Sequence, residues 1–104
     1  MDEAILAQLQ RITQRYDELT DEMGSPDAAV DYERSTKLAK ERAEISGIVE
    51  LYREYRTLEE TATSARSLLE EDDAEIKAMA EAEIADSDSR MVDLNARIRR
   101  ELLP

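Results

Sequence analysis

The chain has 104 residues, 38 % of them charged, and a formal net charge of −12. One domain is the natural count for that length, and two glycines, two prolines, four tyrosines and neither Phe nor Trp leave too little turn and core chemistry for a β-rich fold. The acidic balance argues against an independent nucleic-acid-binding role, because that affinity rests on basic side chains neutralising phosphates.

Ile5, Leu9, Ile12, Tyr16, Leu19 and Met23 follow one another in steps of four and three. That spacing predicts an amphipathic helix over about residues 2–23 with an a/d seam, and Asp2 and Glu3 suit its N-terminal dipole. Gly24-Ser25-Pro26-Asp27 stops it: Gly24 is expected in the left-handed C′ position, and Pro26 cannot continue a helix.

Asp31 is the expected N-cap of a second helix over residues 31–71. At ~1.5 Å rise per residue it would be a rod about 60 Å long, stable in water only with an apolar stripe laid against neighbours. The stripe is Leu38, Ile45, Ile48, Tyr52, Tyr55, Leu58, Ala62, Ala65 and Leu69. Its rhythm slips at Tyr52, Tyr55 and Leu58, where two steps of three occur in succession. The stripe is therefore expected to rotate, with the first helix packed at one end and the third at the other. Gly47 costs about 1 kcal/mol of helix propensity relative to Ala, and either a close helix approach or a slight bend would account for it.

Asp72-Asp73-Ala74-Glu75 reads as a second corner with a capping box, opening a third helix over about residues 73–102. That helix carries Ile76, Ala80, Ile84, Met91, Leu94, Ile98 and Leu102. Its middle, Ala85-Asp86-Ser87-Asp88-Ser89, is polar and holds poor helix formers, so it is the expected weak stretch. The elements together predict an all-α fold: one helical domain over residues 1–104, built as an elongated antiparallel three-helix bundle or helical hairpin with coiled-coil-like packing.

Little in the chain points to chemistry. Without His or Cys, the common nucleophile–base pairs and the Glu-x-x-His di-metal sites of bundles cannot be assembled. Glu70-Glu71-Asp72-Asp73 is acidic but lacks the pattern of a calcium-binding loop, and Gly24 and Gly47 stand too far apart for a phosphate-cradling loop. The expectation is a protein that is not an enzyme, with no catalytic, cofactor-binding or metal-binding residue and no cofactor. Arg97, Arg99 and Arg100 suit the C-terminal dipole of the third helix. Tyr52-Arg53-Glu54-Tyr55 is the most distinctive tetrapeptide; its two tyrosines cover one helix face as core, or anchor a partner. The N-terminus, Met1-Asp2-Glu3-Ala4, is acidic where a signal peptide is basic. No apolar run approaches the ~18 residues of a membrane span. With no cysteine, these features fit a soluble cytoplasmic chain that needs no membrane.

Several segments carry a resemblance in their order and spacing: Gly24-Ser25-Pro26-Asp27, Lys37-Leu38-Ala39-Lys40-Glu41, Ala43-Glu44-Ile45, Ile48-Val49, Tyr52-Arg53-Glu54-Tyr55, Leu68-Leu69-Glu70-Glu71-Asp72 and Leu102-Leu103-Pro104. The series resembles the N-terminal region of the bacterial peptide chain release factor 1 family, the class I factors that decode UAA and UAG, over essentially the whole chain. It departs at the first corner, where the family often has Ser-Asp-Pro and this chain has Ser25-Pro26-Asp27. The resemblance implies a fragment of a longer factor: a helical arm in translation termination that docks and orients on the ribosome at the stalk base of the large subunit. The GTPase release factor is a further implied partner, with decoding and peptidyl-tRNA hydrolysis in other domains. The competing reading from the seams alone is a free-standing coiled-coil interaction module, and an exposed apolar strip on the isolated chain would also allow a homodimer.

Overall fold

Capping chemistry sets where each helix begins. In the computed structural model, which describes residues 1–104, the chain is all-α, with α1 at Glu3–Met23, α2 at Pro26–Ala29, α3 at Tyr32–Leu68 and α4 at Ala74–Leu102. The Asp2 carboxylate accepts from the N–H groups of Ala4 and Ile5 at 2.7 and 3.3 Å and opens α1. Asp31 accepts from the Arg34 N–H at 3.0 Å and opens α3. Asp73 accepts from the N–H groups of Glu75 and Ile76 at 2.8 and 3.4 Å and opens α4. With Asp73 as the cap, the residue three further on is Ile76, so the expected capping box is not formed: an apolar side chain has no carboxylate to return to the cap.

The first corner also differs from expectation. Gly24 sits at φ −82°, in right-handed backbone, and no residue of the chain has a positive φ. The physical reason lies in the next residue. Ser25 restarts the chain at once as the N-cap of the one-turn helix α2, with Pro26 in its first turn. The Ser25 hydroxyl accepts from the Ala28 N–H at 3.2 Å and donates to the Glu22 carbonyl at 2.8 Å. The turn at Gly24 therefore continues in the right-handed sense and needs no left-handed stop.

The chain divides into two compact units, Met1–Glu50 and Leu51–Pro104. In the first, α1 packs on the leading part of α3. Leu19, Ala28 and Leu38 are buried together, with Ile45 packed against them. Leu9 and Val49 are buried as well, at 1 % exposure each. Polar links run beside this core. Arg15 donates from Nε and Nη2 to the two Glu41 carboxylate oxygens at 2.8 Å each, a bidentate fork. Arg42 lies over the Tyr16 ring, 4.4 Å from its centroid, and its Nε donates to Thr20 Oγ1 at 2.8 Å. The Arg15 hydrogen bonds and charge hold the Glu41 carboxyl below its ordinary value. The contribution of this pair is therefore present above the unfolded pKa and fades as pH falls through the folded one.

In the second unit the trailing part of α3 packs on α4, and residues 69–73 join the two. Leu51, Tyr52, Leu58, Ala62 and Ala65 are buried from α3, and Ala80, Ser87, Leu94 and Ile98 from α4. Arg66 reaches Asp88 at 3.4 Å and Arg90 reaches Glu54 at 3.6 Å across the pair. The middle of α4 is helical throughout, and Ser87 is only 1 % exposed. It completes a stripe of Ala80, Ile84, Ser87, Met91, Leu94 and Ile98, in alternating steps of four and three. The stretch expected to be weak is part of the seam, because a serine is small enough to lie where two helices come close.

The slip in α3 has a simple form. Leu38, Ile45, Val49 and Tyr52 follow one another in steps of seven, four and three, and Leu51, Leu58, Ala62 and Ala65 repeat the same steps. The two stripes meet at the adjacent residues Leu51 and Tyr52, which point about 100° apart around a helix.

Two substitutions test this packing. A Cβ added at Gly47 meets nothing within 4 Å, so no neighbour requires the glycine. Gly47→Ala should raise the unfolding free energy by about 0.5–1 kcal/mol in urea titration; a lowered midpoint would contradict the open geometry. Ser87→Leu should cost about 1–3 kcal/mol by overpacking the seam, and an unchanged midpoint would show that the site is not tight.

Candidate docking surface

The corner between α1 and α3 is built to hold a small exposed surface still. Ala28 is fully buried, against Leu19 and Leu38. Ser25 caps α2 from one side, and on the other the Ser35 hydroxyl donates to the Ala28 carbonyl. Asp31 bridges from α2 to α3, its N–H donating to the Ala28 carbonyl at 3.2 Å while its carboxylate caps α3. On this frame Val30 and Tyr32, either side of Asp31, are 88 % and 85 % exposed. They are large apolar groups on a fixed backbone, with Asp27, Asp31 and Glu33 close in sequence. Covering Val30 would be worth roughly 1.5–3 kcal/mol if its side chain were fully buried by a partner, and tyrosine is among the residues that dominate protein interfaces.

Neither residue belongs to a seam or motif of the sequence. Their only mark in the sequence is that two large apolar side chains fall outside every seam. Tyr52 and Tyr55, the pair of the distinctive tetrapeptide, lie elsewhere. Tyr52 is buried at 5 % exposure, and its hydroxyl accepts from Arg56 Nη1 at 3.0 Å. Tyr55 is half-buried, and burial, followed by the nearby Glu59 charge, pushes its phenol up. Tyr52 of the tetrapeptide is therefore core and Tyr55 half so, while Arg53 and Glu54 are exposed.

An open groove of about 420 Å³ runs beside the corner, lined by Asp31, Glu33, Arg34, Lys37, Leu38 and Glu41. Leu38 is its one apolar lining residue, whereas small-molecule sites are mostly apolar with a few placed polar groups. The groove reads as a solvated helix flank. No group of three or more His, Cys, Asp or Glu side chains is placed to hold a metal ion. Arg99 and Arg100 lie in the last turn of α4, at its negative dipole end. No helix is long and apolar enough to cross a membrane.

The exposure of Val30 and Tyr32 makes a direct prediction for the isolated chain. Val30→Asp and Tyr32→Ala should each leave the unfolding free energy within about 0.5 kcal/mol of the parent. Ser25→Ala should cost about 1 kcal/mol through the lost cap. Urea titration of the three separates a free surface from a structural one, and a loss above about 1 kcal/mol at Tyr32→Ala would place Tyr32 in the fold.

The PCRF domain model matches residues 12–104. Peptide chain release factor 1 of Acidobacterium capsulatum is 40 % identical over 96 residues, 92 % of this chain and 27 % of that protein. Peptide chain release factor 1 of Listeria monocytogenes is 37 % identical over 97 residues, again 92 % and 27 % of the two chains. That of Oleidesulfovibrio alaskensis is 32 % identical over 100 residues, 96 % of this chain and 28 % of its own. The chain thus spans about a quarter of the length of these curated relatives. No solved structure matches it. With the match running from within α1 through α4, the chain belongs to the PCRF domain family, in the company of peptide chain release factor 1.

Proposed function

We propose that this chain is the helical arm of a peptide chain release factor acting in translation termination in the cytoplasm, at UAA and UAG codons. The observation that carries the reading is the similarity to peptide chain release factor 1 over nearly all of the chain. The arm supplies position and protein contacts, and stop-codon reading and peptidyl-tRNA hydrolysis belong to the larger part of the factor outside these 104 residues. Three features support a docking role: rigid helical units, an acidic surface unsuited to binding RNA through its phosphates, and a braced corner that exposes Val30 and Tyr32. The proposed dock is a protein surface at the stalk base of the large ribosomal subunit, and the GTPase release factor is the second partner. The arm itself is not an enzyme, and the 104 residues are one helical region of a longer factor.

The test uses the full-length factor. Combining Val30→Asp with Tyr32→Ala should raise the factor concentration needed for half-maximal peptide release on a stop-programmed ribosome by about tenfold or more. The rate at saturating factor should stay unchanged. Loss of the saturating rate with unchanged half-saturation would assign the corner to the chemical step and overturn the docking role. Unchanged values of both, together with unchanged recycling, would overturn it as well.

A further inference from the structure

The second corner carries a surface that neither the cores nor the first corner uses. Residues 70–83 hold seven carboxylates and one lysine, Lys77, a net −6 out of the chain's −12. Asp73 is engaged as the cap of α4. The other six, from Glu70 to Glu83, make no ion pair within the chain, although Arg15, Lys37, Arg56, Arg66 and Arg90 all do. Beside these carboxylates Leu68 is 42 % exposed and Met79 72 % exposed. One exposed apolar side chain is ordinary; two of them at the end of a groove, among unpaired charges of one sign, are the makings of a contact surface.

That groove, open and about 290 Å³ in volume, runs between the trailing part of α3 and α4. Ala65, 1 % exposed, is its floor, and Thr61 and Ser64 line its α3 side. Leu68 lines the end toward the corner. Met79 lies one turn before Glu83 on the same face of α4 and so extends the apolar end past Leu68. The charged lining residues are Glu60 and Glu83, and no cation lines the groove. Arg56, one turn before Glu60, is taken up by Glu59 at 3.4 Å and by the Tyr52 hydroxyl at 3.0 Å. The groove beside the first corner differs, since Arg34 and Lys37 line it together with its acids, and the groove at Leu94 holds Arg90 and Arg97. Those two carry their own counter-charges. This one does not.

From this juxtaposition we infer that the α3–α4 groove is a second docking surface, and that it takes a lysine- or arginine-rich segment of a partner protein with an apolar side chain between its cations. The apolar side chain lies over Ala65, between Leu68 and Met79, and the flanking cations reach Glu60 and Glu83. The flexible thioether of Met79 adapts to apolar side chains of different shape. The unpaired carboxylates of the corner draw a cationic segment toward the groove before contact is made. The same charges repel a phosphate backbone, and no three acidic side chains are placed to hold a metal ion. The surface lies within Leu51–Pro104, whereas Val30 and Tyr32 belong to Met1–Glu50, so it stands apart from the docking role proposed for the first corner.

The test titrates the isotope-labelled 104-residue chain with three synthetic peptides of equal length and reads the NMR shifts. One peptide places lysine and leucine at helical spacing, one replaces its leucines by serine, and one replaces its lysines by glutamate. The lysine–leucine peptide should shift the signals of Ser64, Leu68 and the Met79 methyl group, leave those of Val30 and Tyr32 in place, and bind more weakly as salt is raised. Glu60→Lys combined with Glu83→Lys should weaken binding by about tenfold or more, and Met79→Ser by about fivefold. All three side chains are exposed, so these variants keep the fold. Equal binding of the lysine–serine peptide would show attraction by charge alone and overturn the proposal. So would shifts spread over the whole acidic surface, shifts of the same signals by magnesium chloride alone, or no binding of the lysine–leucine peptide.

Discussion

A helix in water holds together by burying one side of itself, and α3 has to do this twice. One stripe of it buries Leu38, Val49 and Tyr52, and a second buries Leu51, Leu58, Ala62 and Ala65. A single straight stripe could not supply both sets, since the seven-four-three spacing of each is complete in itself and the two overlap at adjacent residues. The handover at Leu51 and Tyr52 falls where one compact unit ends and the next begins. Each unit then needs one further long helix to close its core, with Ala28 of the short α2 added in the first. This economy explains how a chain with so few aromatic residues folds: Leu, Ile, Val and Ala fill helix seams, and thick interiors are not required.

Polar groups add direction to this apolar scheme. The Arg15–Glu41 fork and the Arg42–Tyr16 stack lie beside the core of Leu19, Leu38 and Ile45, and they fix which turn of α1 faces which turn of α3. Exposed ion pairs contribute little to stability on average, so their role here is register. The caps act similarly at the helix ends. Asp2, Ser25, Asp31 and Asp73 each satisfy N–H groups that a helix start leaves open, and each marks a boundary.

The result is a scaffold whose informative surfaces are outside its cores. At the corner, four local hydrogen bonds and a buried alanine hold Val30 and Tyr32 in solvent without adding them to the core. On α4 the side away from the seam carries small exposed residues and Val92. The chain that carries them belongs to the PCRF domain family.

Periodicity was enough to read the long helices, because a side chain every three or four residues can be buried together only on an α-helix. It also placed Leu9, Leu19, Leu38, Leu58, Leu94 and Ile98 in the interior, where they lie. The first corner was not legible. Gly24 as a left-handed stop and Ser25 as a new cap satisfy the same local sequence, and the packing of Ala28 under Leu19 and Leu38 selects the second. Ser87 could not be placed in the seam from its polarity, since what admits it is the close approach of a neighbouring helix. Gly47 posed the same ambiguity, and the open space around an added Cβ shows that no close neighbour requires the glycine. Val30 and Tyr32 are apolar by composition and exposed by position. Spacing along a chain encodes which residues can share a face, but how near another helix comes to that face depends on residues far away in sequence.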